Sequence, residues 1–329
     1  MAAPMEDSLR QAVDFYRSLC FAPNTRRAYS VHRRAYLHFC NLLSVPPVPA
    51  TSDQLCMYAA FLARRLKYNS VKQYMNIIRI LHLEWNLPNP LSGNFHLNST
   101  MRGIRRHLGD RVTRKAPITP HLLLALLSHL DVTTPEGANI WAAALLMFFG
   151  LLRRSNVLPS SHTSFDPALH LRRCDLEFTH TGLKLHIRWS KTIQFRSREL
   201  VIPLCRIPRH PLCPVRAAFQ ALHLTPDAPL EGPAFVIPYG PQYSPTTASR
   251  FVHIVKQHLS HHCDTSQISG HSFRRGGASW AYARGVPIDT IRQLGDWASN
   301  AYMSYTICDS STLHQAVQMM SADLPQDLP

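Results

Sequence analysis

From Ile140 to Leu152 the chain runs thirteen residues without a charge (IWAAALLMFFGLL). A helix built from this stretch is apolar on every side, so other elements must surround it. Thirteen residues are too few to cross a bilayer, which takes about 20. The stretch is therefore expected to be a buried helix at the centre of a sizeable core. The 329 residues suffice for two domains with separate cores. Hydrophobic residues make up 45% and charged ones 17%, which excludes a disordered chain.

The periodicity differs on the two sides of residue 110. Helical spacing marks Asn24 to Leu43, then a helix capped by Ser52 or Asp53 with Leu55, Tyr58, Leu62 and Leu66 on one face. A third helix, capped by Asn69, buries Val71, Tyr74, Ile77 and Leu81, and a shorter one runs from Ser99 to Leu108. Residues 1–110 thus read as an all-helical domain. Residues 111–120 are basic and proline-containing and read as a linker. Residues 121–329 form the second domain, with helices at Pro120–Leu130, Glu136–Leu152, Pro214–Leu222, Ser244–His258, Ser272–Arg284 and Pro287–Leu294. Between them Leu183, Leu185, Ile187 and Trp189 alternate with Lys184, His186 and Arg188, the mark of a half-buried strand. Glu199–Pro203 is its antiparallel partner, so Ser190–Arg198 forms the tip of a hairpin. The fold class is mainly α, with a small antiparallel sheet in the second domain.

Lys and Arg number 35 against 20 acids, a net charge of +15. Such a surplus points to a polyanion, because cations on phosphates gain free energy by releasing counterions. The first 112 residues carry 15 Lys and Arg against 6 acids, so the phosphate-binding surface is densest there. Arg26, Arg27, Arg33, Arg64, Arg65, Lys72, Arg79 and Arg105 lie opposite the apolar faces, and Arg114 and Lys115 lie in the linker. The eight cysteines show no CxxC pair and read as reduced thiols. With no basic start and apolar run near Met1, the expected location is intracellular. His253, His258, His261, His262 and Cys263 have spacing too close to argue for zinc and read as a solvated helix end.

The stretch GHSFRRGGASWAYARGVPIDTIRQLGDWASNAYMSY, Gly270 to Tyr305, carries the densest chemistry. His271 and Arg274 project from one turn at a helix start, where backbone N–H groups also favour an anion. Arg275 is a further candidate for a phosphate. Gly276 and Gly277 are costly in a helix unless something approaches the backbone closely. This arrangement resembles the catalytic core of the tyrosine recombinases, the phage-integrase family, and its wording is most similar to recombinases of DIRS/Ngaro-type eukaryotic retrotransposons. Phe149-Gly150-Leu151-Leu152-Arg153-Arg154-Ser155-Asn156 is similar to the family's first arginine box. Trp189-Ser190-Lys191-Thr192 resembles the segment of its catalytic lysine, Cys213-Pro214-Val215-Arg216 the helix that follows, and Pro23 to Tyr29 the opening of its core-binding domain. The likeness runs from about Leu9 to about Met319.

The resemblance implies a two-domain clamp on double-stranded DNA, a four-protomer assembly on that DNA, and a nuclear location in a eukaryote. It implies cleavage and rejoining through a 3′-phosphotyrosine, with no cofactor, metal or ATP. The catalytic set would be Arg153, Lys191, His271, Arg274, Trp297 and Tyr305. Two arginines can grip phosphate oxygens bidentately, a lysine can protonate the leaving oxygen, and histidine suits acid–base work. Tyr302 competes with Tyr305, and spacing favours Tyr305. Two positions depart from the pattern. Asp296 stands where His or Trp usually follows Gly, so the role passes to Trp297, and Asn156 stands where an acid is common. These departures keep open a DNA-binding protein of the same fold with weakened chemistry. A type IB topoisomerase-like relaxing enzyme shares the chemistry and is the other alternative.

Overall fold

The computed structural model describes residues 2–110, 115–193, 198–297 and 303. Among them no helix is long and apolar enough to cross a membrane. The chain divides into two compact units, Met1–Thr113 and Arg114–Pro329.

The first unit consists of helices α1 (Ala2–Ser18), α2 (Pro23–Leu42), α3 (Ser52–Ala63), α4 (Tyr68–Glu84) and α5 (Phe95–Leu108). The sequence pattern gave no helix before Asn24, and α1 is an addition. Helix starts follow side-chain acceptors for the unpaired first-turn N–H groups. Thr51 caps α3 by accepting from Gln54 N at 3.2 Å, one residue before the expected Ser52. Asn94 caps α5, accepting from Leu97 N at 3.0 Å, so that helix starts four residues before Ser99. Tyr36, Phe39, Leu55, Tyr58, Ile77 and Ile78 form the core. Inside it Gln54 donates to the Tyr36 hydroxyl at 3.0 Å and to Pro46 O at 3.0 Å, which pairs the amide buried there.

The second unit begins with α6 (Pro120–Leu127), α7 (Pro135–Phe149) and α8 (Arg154–Val157). Strands β1 (Leu176–Phe178), β2 (Gly182–Ile187) and β3 (Leu200–Cys205) follow, then α9 (Pro214–His223), β4 (Val236–Tyr239) and β5 (Gln242–Pro245). The last described helices are α10 (Ala248–Leu259), α11 (His271–Ala283) and α12 (Ile288–Leu294). α7 is the apolar run, and Ile140 to Phe148 are all buried. At about 1.5–3 kcal/mol for each large apolar side chain, it is the unit's main source of burial. Thr134 caps it and Pro135 opens it. It ends at Phe149, three residues before the expected Leu152, because Leu151 turns to φ +48°. β1, β2 and β3 make an antiparallel sheet in which Leu185 pairs with Ile202. Leu183, Leu185 and Ile187 are buried, as the alternation requires. β4 and β5 form a second hairpin, so the helix expected from Ser244 starts instead at Ala248. Pro245 ends β5, and Thr247 caps α10 by accepting from Arg250 N at 3.2 Å.

One other expectation is corrected. From Lys115 the supposed linker is part of the second unit: Ala116 N donates to Gln267 O at 2.8 Å and Ile118 N to Ser272 O at 3.0 Å. On α11, Trp280 is 43% exposed, and Arg284 lies over its ring.

Candidate functional site

The site is built where α11 starts, against the end of α7 and the loop after α12. Gly276 and Gly277 bring α11 in. A Cβ on Gly276 would stand 1.8 Å from Ile118 O, and one on Gly277 would stand 1.9 Å from Phe148 O. Glycine is what lets these backbones meet. That contact places His271 and Arg274 beside the segment that follows α7. There Arg153 occupies the N-cap position of α8, and the stem of Arg154 packs on Gly270.

Arg274 is 2% exposed. Its Nη1 donates to Leu151 O and its Nη2 to Gly295 O, and its guanidinium carbon sits 4.0 Å from the centre of the Trp297 ring. The backbone is bent to serve this arginine. Leu151 at φ +48° and Asp296 at φ +51° lie at or beside the two carbonyls. Left-handed backbone costs a residue such as leucine about 1–2 kcal/mol, so the surrounding contacts must hold it there. Trp297 is buried with Leu151, Ala278 and Ile291, and its carbonyl accepts from Arg292 Nε at 3.1 Å.

His271 keeps an open face to solvent. Desolvation, then the charges of Arg274, Arg153 and Arg275, push its pKa down to about 4. The three arginine charges therefore all act on this one ring, which is neutral at pH 7. A phosphate beside it would offset those charges and raise its pKa. The unfolded chain holds more protons on this residue between about pH 4 and 6.5, so its contribution to stability is present above pH 6.5 and is lost on acidification. An NMR pH titration, with the resonance assigned through His271→Ala, should find the imidazole midpoint near 4 in the DNA-free protein. A midpoint at or above 6.5 would remove the arginine charges from its surroundings.

Lys191 is exposed, and the residues around it are anchored. Ser190 and Ile193 are buried, and Ile193 N donates to Ser190 O at 3.0 Å. Asn156 donates to Trp189 O at 2.6 Å. Asp296, 7% exposed, accepts from Ser190 Oγ at 2.6 Å and also from Thr192 Oγ1 and Arg198 Nη2. Burial raises the Asp296 pKa, but those hydrogen bonds and the Arg198 charge outweigh it and hold the carboxyl below its usual range. Residues 190–193 are thus anchored at the start of the hairpin tip. Asp296 is turned to the hairpin, and the side chain on Arg274 is that of Trp297. Neither anchoring role was legible in the sequence, since both partners lie far away along the chain.

Arg153, His271, Arg274 and Trp297 therefore meet in one place, with the neighbours of Lys191 bonded to the residue next to Trp297. Tyr305 and its competitor Tyr302 lie outside the described residues, as does Arg114. Of the basic candidates, Arg26, Arg27, Arg64, Arg65, Lys72 and Arg105 are exposed, and Arg33 and Arg79 are half-buried. Arg33 Nη2 donates to both carboxylate oxygens of Glu84, at 2.7 and 2.8 Å, and Arg105 pairs with Asp110. Lys115 donates to Ser266 O at 2.7 Å. Arg275 is a correction: it is 7% exposed and donates to Lys115 O at 2.6 Å, so it fastens the entering chain instead of facing outward. Among the described residues no group of three or more His, Cys, Asp or Glu could hold a metal ion. His129 and His262 approach to 3.3 Å between their Nε2 atoms.

No protein-family description and no curated protein matches this sequence. Solved structures do. The Tn1549 transposon integrase in complex with transposon right end DNA aligns at a TM-score of 0.61 and 14% identity, over 94% of this chain and 98% of that one. A lambda integrase dimer bound to a COC′ core site aligns at 0.58 and 13%, over 92% and 95%. XerH site-specific recombinase bound to palindromic difH substrate aligns at 0.57 and 12%, over 83% and 73%. The chain has the fold of the tyrosine recombinases and integrases: mainly helical, with small antiparallel sheets.

Proposed function

We propose that this protein is a DNA strand-exchange enzyme of the tyrosine recombinase family that breaks and rejoins DNA through Tyr305. The observation that carries this reading is the gathering of Arg153, His271, Arg274 and Trp297 in one place, beside the anchored hairpin of Lys191. The likeness in fold to DNA-bound integrases supports it independently.

In the proposed reaction the phenolic oxygen of Tyr305 attacks the phosphorus, and the bond to the 5′-oxygen breaks. The phenol proton passes to neutral His271, and the leaving oxygen takes a proton from the Lys191 ammonium. Arg153 and Arg274 offset charge on the non-bridging oxygens. Attack by a 5′-hydroxyl on the phosphotyrosine reverses these steps and rejoins a strand. The scheme calls for no metal, nucleotide or other cofactor. Residues 1–110 act as the core-binding domain and residues 121–329 as the catalytic domain. Arg26, Arg27, Arg64, Arg65, Lys72 and Arg105 face the DNA backbone, with Arg33, Arg79, Arg114 and Lys115 contributing. Four protomers assemble on two duplexes, and the element's origin is transposon-like.

The two departures from the family pattern do not favour a protein without chemistry, because Asn156 and Asp296 both have hydrogen-bonding work at the hairpin. A nicked duplex traps the intermediate, since the short fragment beyond the break diffuses away. The protein should form an SDS-resistant adduct with it in EDTA, and Tyr305→Phe should abolish the adduct while DNA binding persists. Binding without any adduct would leave only a DNA-binding protein of this fold. Relaxation of supercoils without sequence preference would favour the topoisomerase-like alternative.

A further inference from the structure

We infer that Asp296 is a positioning residue for proton delivery, acting through the hairpin that bears Lys191. The inference rests on the recombinase reading above and adds a role to a residue that the family pattern leaves without one.

The carboxylate of Asp296 reaches both residues that flank Lys191. Ser190 Oγ donates to it at 2.6 Å and Thr192 Oγ1 donates to the same oxygen. The same Thr192 hydroxyl lies 3.3 Å from the Asp296 carbonyl, and Arg198, at the end of the tip, pairs with the other carboxylate oxygen. Ser190 and Thr192 lie 2.7 Å apart, so the two hydroxyls and the carboxylate form one closed cluster. Buried carboxylates held by charge-assisted hydrogen bonds are stiff anchors. Lysine has four rotatable bonds above its Cα, so the precision of its ammonium depends on how firmly that Cα is held.

The anchor also has a partner on the other side. Asp296 stands between Gly295, whose carbonyl accepts from Arg274, and Trp297, whose ring covers Arg274. One three-residue stretch thus fixes the arginine that would hold the phosphate and the hairpin that would protonate the leaving oxygen. Proton donor and phosphate are kept in register by a direct link and not through the body of the domain. With Asp296 at φ +51°, the chain turns so that the Gly295 carbonyl faces Arg274 while the carboxylate and carbonyl of Asp296 face the hairpin.

The test compares two nicked duplexes, one with the ordinary 5′-oxygen at the scissile phosphate and one with sulfur in that bridging position. A thiolate leaves without a proton, so losses in proton delivery vanish on the sulfur substrate, whereas losses in phosphate binding remain. Lys191→Ala should slow adduct formation on oxygen by about 10²- to 10⁴-fold and recover on sulfur. Asp296→Ala should slow it by about 10²-fold on oxygen, recover on sulfur, and add nothing in a protein already carrying Lys191→Ala. Should Asp296→Ala fail to fold, Ser190→Ala combined with Thr192→Val cuts the same link from the hairpin side and should give the same pattern. Equal slowing on oxygen and sulfur overturns the inference and leaves the recombinase reading standing. No adduct from the unmodified protein on either substrate removes both.

Discussion

Arg274→Ala is expected to lower the melting temperature by on the order of 10 °C and to abolish adduct formation, while Arg274→Lys loses mainly the chemistry. The alanine leaves Leu151 O and Gly295 O without their guanidinium donors in a buried place, at about 1–3 kcal/mol each. It also removes the cation over the Trp297 ring, about 2 kcal/mol when desolvated. These losses come to about 4–8 kcal/mol, and relief of the guanidinium's own burial cost brings the net down towards about 4–5 kcal/mol, the upper end for one substitution; each kcal/mol is about 2–4 °C for a unit of this size. Lysine keeps the charge and the contact with the indole. It has no planar fork, so it cannot bridge both carbonyls and still present a fixed edge to a phosphate. Adduct formation should then fall about 10²- to 10³-fold with DNA binding little changed. Melting curves and adduct rates on the nicked duplex separate the two effects. A lysine variant that reacts as fast as the unmodified protein would refute the role given to the guanidinium.

Gly277→Ala should destabilise the second unit by about 3 kcal/mol or more, against the sign that helix propensity gives. In an open helix the change is worth about 1 kcal/mol in favour of alanine. Here the new methyl would stand 1.9 Å from Phe148 O and 2.7 Å from Leu151 Cδ2, so α11 has to move away from α7. Overpacking of that kind costs about 1–3 kcal/mol, more where the obstacle is backbone. The shift would also move Arg274 off its two carbonyl acceptors, so activity should fall together with stability. Denaturant melts of the variant decide the matter, and an unchanged or higher midpoint would mean that α11 is not held against α7 in this way.

What was legible in the sequence depended on how local its cause is. The apolar run that becomes α7 and the alternation that becomes β2 are set by neighbours a few residues away, and both elements are found at the expected places in the chain, α7 ending three residues early. Helix starts shifted because Thr51, Asn94 and Thr247 supply the caps, choices settled by loop geometry that the pattern does not carry. The β4–β5 hairpin was hidden because its Pro- and Tyr-containing strands do not alternate. At the candidate site, the motif spacing drew attention to Arg153, His271, Arg274 and Trp297. It could not show that Arg275, next door to Arg274, is buried beneath Lys115. Nor could it show that Asp296, read as an intruder beside a phosphate, turns its carboxylate to a hairpin about a hundred residues earlier. Distant pairings of this sort are encoded only in the packed fold.

In the proposed reaction the gathered cations serve a phosphate attacked by one tyrosine. Trapping the protein on a nicked duplex, digesting it and locating the DNA-linked residue by tandem mass spectrometry tests this at the reacting atom. A nucleotide remnant is expected on Tyr305, lost from Tyr305→Phe and greatly reduced in Arg274→Lys. A remnant on Tyr302 or on any other side chain, or none at all from a protein that binds the duplex, would contradict that reaction.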